Sequence, residues 1–170
     1  MNFSLKKRND FMKKAAFIAD KSTCNYKIGC VGVIENEGQK ISPEANKDPG
    51  FRRRDGYVYL KTWNERLPGE IYCQGECIRV QENLTGSKDI HKVCSIHAEV
   101  NLIAKCAKYN IPTNGMTIFI TNSPCYVCAK SIIVAGISQV FYMAEHTDTI
   151  GVDILKSNGV KVDQISNPFD

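Results

Sequence analysis

The chain has 170 residues, a net charge of +4 and eight cysteines. That length fits one domain over 1–170, able to bury roughly 70% of its unfolded surface. At 43% hydrophobic and 24% charged residues it is neither disordered, collagen-like nor a coiled coil, and its charge is too mild to argue for nucleic acid.

The N-terminus, Met1 to Arg8, is basic, but no apolar core follows it. No secretory leader is therefore expected, and the expected location is cytoplasmic. No apolar run approaches the roughly 18 residues of a membrane span. Residues 10–22 read as a helix with Phe11, Ala15, Ile18 and Ala19 on one face and Asp10 as its cap. Residues 28–34 read as a buried strand, Asn36-Glu37-Gly38 as a turn, and 39–42 as a short returning strand.

Residues 43–95 hold Pro43, Pro49, Gly50, Gly56, Pro68, Gly69, Gly75 and Gly86 with little periodicity. They read as a loop-rich insert, and long loops in a compact domain are often functional. Helical spacing returns with Val100, Ile103, Ala104 and Ala107. A strand over 116–121, a helix over 125–135 and a strand over 139–143 follow. A helix over 149–156 and a strand over 160–165 end the pattern. This alternation predicts an α/β sheet with right-handed crossovers and helices on both faces.

The cysteines are residues 24, 30, 73, 77, 94, 106, 125 and 128. In a reducing compartment clustered cysteines favour metal or catalysis over disulfides. Cys30 and Cys106 stand outside the clusters and read as small buried hydrophobes.

Two segments carry the chemistry. His97-Ala98-Glu99 opens one helix, and Pro124-Cys125-Tyr126-Val127-Cys128 opens the next. Cys125 and Cys128 are spaced i,i+3, so their sulfurs share a helix face. The positive end of the helix dipole favours thiolates there. One imidazole and two thiolates give zinc three ligands, and a catalytic zinc keeps a fourth position for water. Glu99, two residues from His97, reaches that water without being a ligand. A closed structural zinc site would need a fourth protein ligand, with Glu99 the candidate. A redox Cys-x-x-Cys pair would leave the His-x-Glu unexplained.

The arrangement resembles the zinc nucleobase deaminase signature, in which an activated water attacks C4 of cytosine and the Glu carries the protons. The match is closer to one family. His97-Ala98-Glu99-Val100-Asn101-Leu102-Ile103, Thr121-Asn122-Ser123-Pro124-Cys125 through Ile133, Ala135-Gly136-Ile137, and Ser22-Thr23-Cys24 resemble deoxycytidylate (dCMP) deaminases. The resemblance covers roughly residues 10–165 and is specific over 94–143.

It implies a cytidine deaminase-like three-layer α/β/α sandwich with a mixed five-stranded sheet. It implies hydrolysis of dCMP to dUMP and ammonia, feeding thymidylate synthesis, in a homo-oligomer that is often a hexamer. Carried over, His97, Cys125 and Cys128 hold the catalytic zinc and Glu99 moves protons. The Ala98 backbone and the Ser123 carbonyl contact the base, and Asn46 contacts the nucleotide. The family's dCTP and dTTP effectors use a Gly-Tyr-Asn-Gly loop, which reads Glu44-Ala45-Asn46-Lys47 here and keeps only Asn46. A Tyr expected at a substrate contact is His146.

Cys24, Cys73, Cys77 and Cys94 resemble the ligands of a second, structural zinc in many dCMP deaminases, with His91 a competing ligand. The other reading is unliganded core cysteines. Arg52-Arg53-Arg54 with Tyr57, Tyr59 and Trp63 admits three readings. One is a 5′-phosphate site, using one of these arginines, Lys27 or Lys47; the others are a solvated face and a single-strand nucleic-acid platform. Two further functional readings stand beside dCMP: a deaminase of tRNA or single-stranded DNA, and a non-catalytic zinc module. Asn101 and the Cys24 segment favour the mononucleotide, and Glu99 argues against an idle site.

Overall fold

A computed structural model describes residues 1–67, 77–83, 95–146 and 149–169. The first helix, α1, runs Leu5–Ala19. Its cap is Ser4, whose hydroxyl accepts from the Lys7 amide at 3.4 Å, and not Asp10. The early turns are basic and solvent-facing, so apolar spacing shows the helix only from Phe11 onward. Phe11, Met12, Ala15, Ile18 and Ala19 form its buried stripe.

Six strands build one mixed sheet: β1 (Gly29–Glu35), β2 (Phe51–Arg54), β3 (Tyr57–Trp63), β6 (Thr117–Asn122), β7 (Gln139–Ala144) and β8 (Lys161–Gln164). Their order is β2-β3-β1-β6-β7-β8. The first four pair antiparallel, while β6, β7 and β8 run parallel. A separate two-stranded ladder joins β4 (Glu65–Arg66) to β5 (Ser95–Ile96), directly before His97. The short helix α2 (Ile78–Gln81) follows Cys77.

The sheet thus has six strands where five are expected. Residues 39–42 are not a strand. They dock on the end of α3 (Ala98–Tyr109), where the Ser42 amide donates to the Tyr109 carbonyl and Asn110 Nδ2 to the Lys40 carbonyl. The antiparallel partner of β1 is β3, with Cys30 opposite Thr62. It lies inside the stretch expected to be loop-rich. Asp55 and Gly56, both at positive φ, make the tight turn that joins β2 to β3.

Strand alternation sorts the core into two layers. Cys30, Val58, Leu60, Ile118, Ile120 and Val140 face α3, α4 (Tyr126–Val134) and α5 (Ile150–Ser157). Val31, Val33, Tyr59, Phe119 and Phe141 face α1. Cys30 and Cys106 are both fully buried in the first layer, as small hydrophobes should be. Among the described residues no helix is long and apolar enough to cross a membrane.

Candidate active site

His97 and Cys125 are the N-cap residues of α3 and α4. Both have extended backbone, and neither side chain caps its own helix. Their carbonyls accept the first helical bonds, from the Asn101 and Ala129 amides, each at 2.9 Å. The side chains are left to meet each other. His97 Nδ1 lies 3.6 Å from Cys125 Sγ and 3.3 Å from Cys128 Sγ. All three donor atoms lie within 4.8 Å of one another.

This donor set fits zinc. Two sulfurs and an imidazole nitrogen sit close enough to share one cation, and both cysteines are buried. The electrostatics agree. A hydrogen bond from Cys128, with help from His97, holds the Cys125 thiol well below the usual thiol range. Cys128, which shares that proton and is buried, is pushed the other way. A thiolate is therefore ready beside the imidazole.

Glu99 is 4% exposed, on the first turn of α3. Burial raises its carboxyl above the usual range, against the pull of His97. A buried carboxyl with a raised pKa is the kind of group that carries protons in active sites. Beneath it lies Cys30, whose thiol pKa rises well above normal through burial and then through the Glu99 charge. Cys30 stays a neutral floor.

Ala98 is fully buried, and its carbonyl accepts from Thr62 Oγ1 at 2.8 Å. Ser123 ends β6. Its amide donates to the Ala144 carbonyl, and its hydroxyl accepts from the His146 amide at 2.7 Å. The structure therefore joins Ser123 to His146. Gly151 brings α5 against Pro124, just before Cys125.

Asn46 lies exposed on a 3-10 turn over Pro43–Lys47, with its side-chain amide donating to the Pro43 carbonyl. Cys73, Cys94 and His91 lie outside the described residues. Cys24 and Cys77 are half-buried free thiols, and Cys24 Sγ accepts from Ser95 Oγ at 4.0 Å. Among the described residues the only cluster of His, Cys or acidic groups able to hold a metal is His97, Cys125 and Cys128.

The arginine run does not act as one patch. Arg52 donates to the Pro49 and Phe51 carbonyls, Arg53 to Gln39, and Arg54 pairs with Asp55. Tyr57 and Tyr59 pack with Phe3 and Phe11 in the α1 layer. Of the three aromatics only Trp63 stays out of that core, with Lys21 and Lys105 at 5.6 and 5.1 Å from its ring centre.

Sequence reasoning missed the end of β3. There Asn64 receives the Ile28 amide and donates to Tyr26, and Asn101 Nδ2 donates to the Trp63 carbonyl and to Glu65. The Asp55-Gly56 turn was the signal for it.

A family model for the cytidine and deoxycytidylate deaminase zinc-binding region matches residues 5–144. Deoxycytidylate deaminase of Enterobacteria phage T2 is 29% identical over 158 residues, covering 84% of this chain and 83% of its own. ComE operon protein 2 of Bacillus subtilis is 34% identical over 114 residues, or 66% of this chain, which spans 56% of that relative. The dCMP deaminase of cyanophage S-TIM5, crystallised with dCMP and dUMP, superposes with a TM-score of 0.71. It is 26% identical, over 96% of this chain and all of that one.

Proposed function

The chain belongs to the family defined by the cytidine and deoxycytidylate deaminase zinc-binding region, and from that premise we propose that it hydrolyses dCMP to dUMP and ammonia. The observation that carries this reading is the buried Glu99 carboxyl beside the His97, Cys125 and Cys128 donors. The phage relative and the cyanophage structure supply the substrate.

His97 Nδ1 and the sulfurs of Cys125 and Cys128 would hold the zinc. Bound there, zinc supplies the Lewis acidity that makes a water acidic near neutral pH. Water adds to C4 of the cytosine ring and the C4–N4 bond breaks. Glu99 takes the proton of the attacking water on its carboxylate and delivers it to N3. It then passes the second water proton to the departing amino group. The Ala98 backbone and the Ser123 carbonyl hold the base, while Asn46 and His146 contact the rest of the nucleotide. The 5′-phosphate is held by one of the arginines of the run, by Lys27 or by Lys47.

A second, structural zinc is held by Cys24, Cys73, Cys77 and Cys94, in a region with few apolar residues. The enzyme works in the cytoplasm as a homo-oligomer. Tyr126, Val127 and Val134 of α4 and Ile150 of α5 present apolar surface for that assembly.

The test offers dCMP, dCTP, deoxycytidine and a cytosine oligonucleotide to zinc-loaded protein and follows ultraviolet absorbance. Turnover of dCMP and not of the oligonucleotide is expected. Turnover of the oligonucleotide alone would move the substrate to single strands, and no turnover with zinc present would overturn the enzymatic reading.

A further inference from the structure

The end of β3 is tied to the first turn of α3 at two points. Thr62, wholly buried, donates from Oγ1 to the Ala98 carbonyl at 2.8 Å, across 36 positions of sequence. One residue on, the Trp63 carbonyl receives Asn101 Nδ2 at 3.0 Å, and the same amide reaches Glu65 Oε2 at 3.1 Å. Glu99 lies between the two tied residues.

The Thr62 bond is not what makes the helix. The Ala98 carbonyl already faces the amide four residues on, as in any α-helix. What the hydroxyl adds is a fixed orientation of that turn on the sheet. The carbonyl it holds belongs to the peptide unit whose N–H is that of Glu99. Rotation of this unit would swing the Glu99 carboxyl and shift His97 far less, since His97 precedes the unit and is anchored to the two cysteines. The side chain shares its sheet face with Leu60 and its register position with Cys30, both in the apolar layer under α3. Valine would fill that space, so the hydroxyl is the feature that packing leaves unexplained.

We propose that Thr62 is a positioning residue for the reaction. By holding the Ala98 carbonyl, it sets the direction in which Glu99 presents its carboxyl to the base. This rests on the deaminase reading above.

The test compares wild type with T62V and T62S. Three quantities are read: zinc content, hydrogen exchange over residues 97–103, and kcat and KM for dCMP. In T62V the zinc content is expected to stay at the wild-type level and exchange over 97–103 to rise. Its kcat should fall about 10- to 100-fold, with KM changed far less, as expected for a misaligned reacting group. T62S restores both exchange and kcat. Should T62V fail to fold, T62S and T62A, which differ only in the hydroxyl, give the same comparison. Unchanged exchange in T62V, a kcat within about threefold of wild type, or no rescue by serine would overturn the role of Thr62. Absence of dCMP turnover in wild type would instead overturn the reading on which it rests, while the exchange data still report on the contact.

Discussion

Gly151 lies so close to Pro124 that a methyl group on its Cα would meet the Pro124 carbonyl oxygen at 1.9 Å. The start of α5 is thereby seated on the residue that leads into Cys125. Backbone cannot yield as a flexible side chain does, so G151A must move either α5 or the Pro124–Cys125 link. The expected cost is about 1–3 kcal/mol of stability. Zinc affinity should fall with it, because Cys125 moves relative to His97. Calorimetry and competition with a chelating dye check both; an unchanged zinc affinity would show that α5 does not support the site.

Replacing Glu99 by Gln keeps the size of the side chain and removes its proton chemistry. The variant is expected to bind zinc like wild type and to lose about 100- to 10,000-fold in turnover of dCMP. Metal analysis beside the absorbance assay checks this. Turnover within a few-fold of wild type would remove Glu99 from proton transfer.

Zinc stoichiometry separates the two proposed metal sites. Wild-type protein is expected to carry two zinc ions per chain. C125S and C128S should lose one with all activity, and C24S and C77S the other. Chelation is expected to loosen residues 60–95 first, read by limited proteolysis. A single zinc per chain in wild type would remove the second site.

Burial lifts the Cys106 thiol pKa to about 12. The unfolded chain releases this proton near pH 8.5 while the folded chain keeps it, so the unfolded state binds fewer protons above that pH. The contribution is fully present below pH 8.5 and is lost as the pH rises toward 12. Between pH 7 and pH 10 wild type should lose roughly 1–2 kcal/mol that C106A does not. Urea denaturation of both proteins at the two pH values measures the difference. Equal losses would mean that Cys106 does not titrate in this way.

The candidate site was the legible part of this sequence. His97, Glu99, Cys125 and Cys128 sit on two helix starts, where short spacing fixes relative position before any tertiary packing is known. The parallel half was legible too, because β6, α4, β7, α5 and β8 alternate in the chain as they do in space. The antiparallel half was hidden. Phe51–Arg54 reads as a charge run because its edge strand points arginines at solvent. Lys61 interrupts the apolar pattern of β3. Prolines and glycines nearby then pulled the whole stretch toward loop, although Asp55-Gly56 marks a two-residue turn. Thr62 was invisible for the same reason, since its partner Ala98 becomes a neighbour only once β3 is paired with β1.

The two helix starts at His97 and Cys125 also have a thermodynamic consequence. A Ser, Asp or Asn at either position would stabilise its helix by about 1 kcal/mol through its own amides, and neither helix has that local support. A single cation gripping both residues is a clasp common to two helices. Such a clasp would add stability to both first turns at once, so removing the metal is expected to raise hydrogen exchange near 97–101 and 125–129 together, by amounts set by the affinity of the site.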